Sequence, residues 1–592
     1  MKKRLLITFL IIVTVLTVSI LLCSCNDEPA PTPSESESES GYDSEYESES
    51  SSATESDTEA PPPVQEDASV AVDGQAKYKV VRAENASAEE IACATAVFNA
   101  LNESTGLSFE FTDDYVIDGS DDAQNSYEIL IGLTGRDASK RAFSNITYGE
   151  WLVQLDGNKI VIAAYGIVPL EAACNEFVQY VKDNASAGNL TVAADYTRTG
   201  STNELLSILP YYTAADTNSV TTETYIADQN YMVSVSDTTK DEYEEYLKQI
   251  EGNGFKEFKR RDINGSVFAI YTTEKHVINA QFYKNDNTAR IIVEDQFDMS
   301  MFEKQSYEKV CDAALTMVGC AIPLNETDIS QIGLCLIFTL EDGRLIVVDG
   351  GSYYTSMSKI LKENLQAASP DPENVRIAAW IFTHPHQDHS GAFNKLVERE
   401  DTGFISSLEN VIYNFPIWDV YASVKDPGQV MKTRENITKA FPNANLIKAH
   451  PGNVYYFADV ELEMLYSYDA MLPFALDGHN TTSLAFRVKT NGQSVIILGD
   501  VTPKASRTIC DIYRNHLSSD MVNVSHHGLT GASTALYGYI DADVVLWTSG
   551  AEVYNDYKSK SYNVRMLQIA SEIYVADDEI TKFTFPHTVT KK

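Results

Sequence analysis

Nine of the ten histidines in this 592-residue chain lie between His384 and His587, and only His276 comes earlier. The densest part of this set, together with one acidic residue, is a single short stretch with His384, His386, Asp388 and His389. Imidazole is the commonest metal ligand in proteins, and carboxylates often complete such sites. The spacing therefore predicts a metal site with N and O ligands. A donor set without thiolate favours Zn, with Mn or Fe as the alternatives.

The residues on either side of this stretch predict how it is positioned. Residues 376–382 form an almost continuous apolar run, typical of a buried strand, and the residues after His389 have the pattern of a helix. The predicted ligands would then lie on a loop at the C-terminal end of a strand, where α/β folds place their sites. We therefore expect an α/β fold for this part of the chain.

Five segments of the C-terminal half resemble, in order, the motifs of the metallo-β-lactamase superfamily, and specifically of its ComEC-like branch. They are 345–351 with Asp349, 383–391 with the stretch described above, 478–484 with His479 and Asn480, 496–500 with Asp500, and 524–528 with His526 and His527. The resemblance covers about residues 332–585. It implies an αββα sandwich, two metal ions and a hydrolytic activity.

The resemblance also implies a role for each matched residue. One ion would be held by His384, His386 and His479, the other by Asp388, His389 and His526, with Asp500 between the two ions and Asp349 supporting the metal loop. Adjacent His526 and His527 are not expected to point the same way from a strand end, so we assign the metal to His526. His527 and Asn480 are then predicted to support the ligands or contact substrate. Asp388 is also the predicted catalytic residue, orienting the nucleophile or protonating the leaving group.

Two features depart from the usual pattern of the branch. Both His479 and Asn480 are present where the branch often has Asn in place of the histidine, which favours a complete dinuclear site. Leu529 follows the His-His-Gly segment where the branch usually has Ser. Its phosphate contacts would then have to come from Thr530, Ser533 or Thr534.

The remaining histidines and cysteines are given structural roles. His450 is a reserve ligand or a loop residue, with the loop reading favoured, while His276 is interpreted as a surface residue and His516 and His587 as structural. The cysteines beyond residue 25 lie mostly in apolar stretches and are interpreted as buried thiols. A bridge between Cys93 and Cys174 is the alternative.

The N-terminus has the pattern of an export signal. Lys2, Lys3 and Arg4 precede an apolar run at 5–22, and Ser24 and Cys25 follow it. Residues 1–24 resemble a bacterial lipoprotein signal peptide, which would leave Cys25 as a lipid-modified N-terminus. An uncleaved transmembrane anchor is the alternative. Either anchor places the rest of the chain on the extracytoplasmic face of the cell membrane.

Three further regions are predicted before the hydrolase domain at 301–592. Residues 25–76 form a Ser/Glu/Pro-rich tether that we expect to be disordered, since 27–67 holds 14 acidic and no basic residues. Residues 77–190 alternate helix and strand signals and resemble the small domain that precedes the barrel in family-20 hexosaminidases and α-glucuronidases. Residues 191–300 predict a small α+β domain.

Charge and the resemblance together define the expected function. With 45 Lys+Arg against 85 Asp+Glu and a net charge of -40, the chain is a poor candidate for strong nucleic-acid binding. The ComEC-like resemblance implies a phosphodiesterase acting on a small molecule or on a cell-envelope phosphate ester, such as a phosphocholine or teichoic-acid unit. The alternatives are a lactonase or amidase with the same two ions, and a non-catalytic cell-surface binding protein.

Overall fold

The computed structural model describes residues 65–115, 125–213, 221–227, 230–323, 329–415, 429–472, 478–578 and 580–590. These residues belong to one compact unit that begins at Gln65. The predicted signal peptide, Cys25 and residues 26–64 of the predicted tether lie outside these ranges, whereas residues 65–76 lie within them. Within the described ranges, no helix has the length and apolar character needed to cross a membrane.

The N-terminal part is a six-stranded mixed sheet with strand order β4-β3-β5-β7-β6-β9, beside a small sheet with order β2-β1-β8. Its elements are β1 Ala68–Val72, β2 Gln75–Ala76, β3 Lys79–Arg82, α1 Ala88–Thr105, β4 Glu110–Asp113, β5 Glu128–Ile131, α2 Asp137–Phe143, β6 Glu150–Asp156, β7 Lys159–Ala164, α3 Ile167–Asn184, β8 Leu190–Val192 and β9 Thr197–Ser201. Helices α1 and α3 cover one face of the larger sheet and α2 covers the other.

In the structure this region extends beyond both of its predicted boundaries, residues 77 and 190. Strand β1 precedes residue 77 and pairs with β8, because Val70 and Ala71 are buried in the core. Strand β9 lies beyond residue 190 and pairs with β6. These pairings depend on partners more than 40 residues away in sequence. Local composition around each boundary therefore does not reveal them.

The second region is an antiparallel six-stranded sheet with one helix, in strand order β10-β11-β15-β14-β13-β12. Its elements are β10 Thr221–Ala227, β11 Asn230–Val235, α4 Lys240–Gly252, β12 Lys256–Ile263, β13 Ser266–Thr272, β14 His276–Tyr283 and β15 Thr288–Asp295. Thr239 caps α4 through a reciprocal pair of hydrogen bonds with Glu242. We call this region the 221–295 domain.

The C-terminal region contains two seven-stranded sheets and seven helices within the described residues. Its elements are β16 Ala314–Met317, β17 Ile322–Pro323, β18 Ile329–Ser330, β19 Cys335–Thr339, β20 Leu345–Asp349, α5 Thr355–Ala368, β21 Val375–Ile381, α6 Gln387–Glu398, β22 Ile405–Tyr413, α7 Val430–Ala440, β23 Asn445–Lys448, β24 Val454–Phe457, β25 Val460–Tyr466, β26 Ala485–Thr490, β27 Gln493–Ile497, α8 Pro503–Tyr513, β28 Met521–Asn523, α9 Thr534–Ile540, β29 Val544–Trp547, α10 Ala551–Tyr557, α11 Ser561–Ile569, β30 Glu572–Val575 and β31 Thr581–Thr584.

The two sheets pack face to face and are covered by helices on their outer sides. Their strand orders are β23-β22-β21-β20-β19-β16-β31 and β24-β25-β26-β27-β28-β29-β30. One apolar core lies between the sheets, and two others lie under α5–α7 and under α8, α9 and α11. The predicted αββα sandwich is confirmed.

The 221–295 domain packs directly on this sandwich. The aromatic ring of Phe268 stacks on that of Tyr513, with centroids 6.2 Å apart. It also lies so close to Gly452 that a β-carbon there would be 2.4 Å from it. Asn264 donates hydrogen bonds to the carbonyl oxygens of Ile512 and Tyr513. The interface is therefore buried and specific.

Candidate metal centre

The predicted site residues come together at one edge of the sandwich. Strands β20 and β21 run parallel, so Asp349 at the end of β20 lies beside the loop that follows β21. Strands β27 and β28 also run parallel, which brings the residues after them to a common edge. Strand β26 runs antiparallel to β27, so His479, just before β26, lies at the same edge.

Asp349 holds the loop that carries the histidine-rich stretch. Its buried carboxylate accepts hydrogen bonds from Thr383 N at 2.8 Å and from the Thr383 hydroxyl at 2.6 Å. The same carboxylate lies 2.7 Å from His389 Nδ1. These bonds set the orientation of the His389 ring and direct its Nε2 atom away from Asp349. The supporting role predicted for Asp349 agrees with this geometry.

Four of the site residues form one cluster of possible ligand atoms. The cluster contains Asp388, His389, Asp500 and His527, whose ligand atoms all lie within 4.8 Å of one another. His527 Nε2 is 3.1 Å from Asp388 Oδ2, and His389 Nε2 is 3.2 Å from Asp500 Oδ1. Asp388 is half-buried, and the other three are buried.

The contacts of the two imidazoles direct their Nε2 atoms into this cluster. His389 Nδ1 faces a carboxylate, and His527 Nδ1 lies 2.8 Å from the carbonyl oxygen of Thr548. Both Nδ1 atoms therefore act as donors, and both Nε2 atoms face the centre of the cluster. The two Nε2 atoms are only 3.2 Å apart. Two imidazoles and two carboxylates form the donor set that a divalent ion prefers, once the protons that the carboxylates hold on these imidazoles are displaced.

A second cluster contains His384, His386 and Asp500. His384 Nε2 is 2.9 Å from His386 Nδ1 and 3.6 Å from Asp500 Oδ2. His479 is buried beside this cluster, with its ring centroid 5.3 Å from that of His386. Asp500 is thus common to both clusters, as a carboxylate that bridges two ions would be.

The two adjacent histidines differ from the sequence prediction. Both have left-handed backbone conformations, with φ of 51° at His526 and 54° at His527, so the alternation of a strand does not apply to them. His527 is the one that enters the cluster with Asp388. His526 is half-buried at the rim, where Nδ1 contacts the Thr530 hydroxyl and Nε2 lies 3.2 Å from Asn480 Nδ2. His526 Nε2 is also 3.7 Å from Asp500 Oδ2. The geometry therefore favours His527 over His526 as the ligand.

Two glycines allow the loops to approach this closely. Gly499, with φ of 51°, lies where a β-carbon would be 2.9 Å from Thr383 Cβ. Gly528, with φ of 84°, lies where a β-carbon would be 2.2 Å from the Trp547 ring. Any larger residue would push the loop carrying Asp500 or His527 away from its neighbours.

The pKa shifts in the cluster that contains Asp388 and His389 follow from the burial of opposite charges. Burial lowers the pKa of His389, but the surrounding carboxylates, first that of Asp500, outweigh it and raise the pKa well above the ordinary value. The pKa of His527 is raised in the same way, against burial, by Asp500 and Asp388. Burial raises the pKa of both Asp388 and Asp500, yet the imidazoles, first that of His389, hold both well below the ordinary value. Both acids are therefore carboxylates at neutral pH.

The two histidines of the other cluster, and His526 at the rim, have the opposite balance. Burial is the main cause that lowers the pKa of His384, His386 and His526. These three imidazoles are therefore neutral at pH 7. Neutral imidazole is the form that binds a metal ion.

The histidines and cysteines outside the clusters have partners of their own. His450 Nδ1 lies 2.5 Å from Asp469 Oδ2, His516 Nε2 2.6 Å from Glu463 Oε1, and His587 Nε2 2.8 Å from Glu572 Oε2. His276 is half-buried at the start of β14. Cys93 and Cys174 are both buried thiols. Among the residues predicted to replace the Ser that usually follows the His-His-Gly segment, Thr530 contacts His526 and Ser533 caps α9.

Sequence reasoning missed several residues that support the clusters. Thr383, Ser483 and Thr548 hold Asp349, the Asp500 backbone and His527, respectively. Thr383 carries the clearest signal in the sequence, since it directly precedes His384. The other two contacts depend on which loops meet and have no local signature.

Comparison with known proteins agrees with this arrangement. A sequence profile of the metallo-beta-lactamase superfamily matches residues 331–536. The C-terminal half of the chain carries a metallo-β-lactamase superfamily domain. No curated protein matches the chain significantly.

Several solved structures are similar to parts of the chain. The metallo-beta-lactamase fold protein YhfI from Bacillus subtilis has 13% identity and a TM-score of 0.29, covering 46% of this chain and 100% of that one. CmlA, a diiron beta-hydroxylase from Streptomyces venezuelae, has 13% identity and a TM-score of 0.29, covering 48% and 55%. Unliganded yeast PDE1 has 16% identity and a TM-score of 0.27, covering 47% and 100%.

Proposed function

We propose that the metallo-β-lactamase domain is a dinuclear metal-dependent hydrolase that cleaves a phosphodiester. The observation that carries this proposal is the sharing of Asp500 by two clusters of ligand atoms. His384, His386 and His479 would hold one ion, and Asp388, His389 and His527 the other. Zn suits these N and O donors, with Mn or Fe as alternatives.

The chain's own residues have defined tasks in this hydrolysis. When bound, two divalent ions supply Lewis acidity and an activated water at neutral pH. Asp349 and Thr548 keep the Nε2 atoms of His389 and His527 directed into the centre. Asp388 is a carboxylate, so it can orient a nucleophile by accepting a hydrogen bond but has no proton to give a leaving group.

The rim of the centre supports a phosphate ester over a lactone or amide. Asn480, His526 and Thr530 form a connected polar group there, in which the amide of Asn480 and the hydroxyl of Thr530 can donate hydrogen bonds. Such donors suit the several oxygens of a phosphoryl group. An apolar rim would favour a lactone instead. The ComEC-like resemblance of the motifs supports the same choice.

The location of the enzyme is part of the proposal. The basic N-terminus, the apolar run at 5–22 and Cys25 support a lipid anchor, and the acidic tether supports a position outside the membrane. The substrate is then a small molecule or an envelope phosphate ester. The net charge of -40 disfavours nucleic acid. The hexosaminidase-like N-terminal domain would serve as an accessory module.

The test measures metal content and hydrolysis of bis-p-nitrophenyl phosphate by the purified chain. We expect roughly two metal equivalents and turnover. Asp500→Asn should lose both, while Asp388→Asn should lose turnover and about one equivalent. Asp556→Asn, an exposed acid on α10, is the matched control and should retain both. Two metals with turnover of lactones or amides only would replace the phosphodiesterase reading, and a chain that takes up no metal would favour a binding protein.

A further inference from the structure

A cavity at the interface between the 221–295 domain and the sandwich has no part in the metal centre. It has a volume of about 280 Å³ and is lined on one side by Tyr283 and Arg290 and on the other by Met471 and one side of helix α8. We call it the Arg290 cavity. Lys504 lines it and follows Asp500 by four residues, so at 3.8 Å per residue the Cα atoms of these two residues lie within about 15 Å of each other.

Arg290 is a buried cation with incomplete pairing. Its side chain is only 1% exposed, and its guanidinium lies over the buried ring of Tyr283, 4.5 Å from the centroid. Nε donates to the Leu472 carbonyl at 3.1 Å. Nη2 is 3.4 Å from Asp286 Oδ2, a carboxylate that is itself 47% exposed. Among the described residues, Nη1 has no hydrogen-bond partner.

This degree of pairing is unusual for a buried arginine. Guanidinium cannot lose its proton in a protein, so burial without an anion has a large energetic cost. The other arginines at the same interface have close partners: Arg261 lies 2.5 Å from the buried Glu463, and Arg260 lies 2.5 Å from Glu244. Arg290 is the exception, and it lines a cavity.

The remaining lining residues also favour an anion. Lys504 and Arg507 add two cations from α8, and Thr508 and Asn285 add neutral donors. Two acids, Asp286 and Asp511, line the cavity as well, which leaves three cations against two acids. A local excess of positive charge stands out in a chain with a net charge of -40.

We propose that the Arg290 cavity binds an oxyanion of the phosphate class, as inorganic phosphate or as the phosphoryl group of a small ester. Arg and Lys donors are the groups that recognise such oxyanions, through charge-assisted hydrogen bonds. The volume is near the lower end of small-ligand pockets, which suits a ligand of this size. This site is separate from the metal centre and does not depend on the hydrolase activity proposed above.

The test is calorimetric titration of the purified, metal-loaded chain with inorganic phosphate. The double variant Lys504→Ala/Arg507→Ala should weaken binding at this site at least about tenfold, since two charged donors are lost. Its matched control is Lys560→Ala/Arg565→Ala, which removes two exposed cations elsewhere in the same domain and should leave binding unchanged. Arg290→Gln should weaken binding as well. If that variant does not fold, the double variant decides.

Asp500→Asn separates this site from the metal centre. That variant should lose any phosphate held by the metals and retain the binding that depends on Lys504 and Arg507. The proposal is overturned if the double variant binds phosphate as tightly as its control, or if Asp500→Asn binds none. Titration with glycerol 3-phosphate distinguishes the two sources, because tighter binding of the ester than of free phosphate identifies an esterified ligand.

Discussion

Asn in place of Asp349 should uncouple the metal loop from its support without changing any proposed ligand. The carboxylate accepts three hydrogen bonds, from Thr383 N, the Thr383 hydroxyl and His389 Nδ1, at 2.6 to 2.8 Å. An amide offers one accepting oxygen and places N–H groups where the other oxygen was. On one side of the amide, an N–H group must therefore face another hydrogen-bond donor.

The consequence for His389 depends on which side of the new amide, oxygen or nitrogen, faces its ring. If its nitrogen faces His389, Nδ1 must become the acceptor, and the hydrogen moves to Nε2, which then has no lone pair for a metal. If its nitrogen faces Thr383 N, a buried donor is left unsatisfied, at a cost of about 1–3 kcal/mol in the free energy of unfolding. Loss of such a supporting contact typically lowers metal affinity about 10–100-fold.

The assay is competition for Zn against a chelator of known affinity, combined with chemical unfolding. Asp469→Asn is the matched control, because Asp469 is equally buried and lies against His450 Nδ1 and Asn414 Nδ2 outside the metal centre. Both variants should lose stability, but only Asp349→Asn should lose Zn affinity. Equal Zn affinity in Asp349→Asn and the wild type would refute the proposed tautomer and with it the orienting role of Asp349.

Three other outcomes follow from the site and its surroundings. The raised pKa values of His389 and His527 mean that Zn must displace protons from them, so Zn affinity should rise with pH from about 6 to 8. Calorimetry in two buffers should detect the released protons. A Zn affinity that does not change with pH would contradict this. The pKa of His450 is raised from 6.5 to about 10, chiefly by Asp469 against burial. Its contribution to stability is therefore complete below the unfolded value and lost as pH rises toward 10, so the wild-type Tm should fall more steeply over this interval than that of His450→Gln, and equal slopes would exclude the effect. Gly528→Ala should lower the free energy of unfolding by about 2 kcal/mol or more and reduce the metal content. A Tm equal to that of the wild type would show that the Trp547 ring can move aside.

Local patterns were sufficient where a feature depends on neighbours in sequence. Ser87 and Glu90 predict a capped helix, and the structure has this reciprocal cap at the start of α1. The sequence around Asp237 also predicts a helix capped near that residue, and the structure has the cap two residues later, at Thr239. The apolar run before His384 is β21, as predicted. Each of these features is set by bonds or burial within a few residues.

Other features depended on which distant segments meet. Strand alternation placed His526 in the site, but positive φ angles at both histidines turn His527 inward instead. Strand β1 belongs to the fold because β8 pairs with it, more than 100 residues later. Neither result has a local signature, since both depend on the loops and strands that surround the segment.

By itself, the sequence determined the αββα domain through the resemblance of its five motifs to a known superfamily. It determined the dense set of candidate ligands and the acidic tether's composition through residue types and their spacing. Only the tertiary structure decided that Asp500 is shared by two clusters, that His527 faces Asp388, and that Arg290 is buried beside a cavity. Tautomers, shared ligands and incomplete charge pairing are properties of atoms brought together from distant parts of the chain. They exist only once the sheets have packed and water has been excluded from between them.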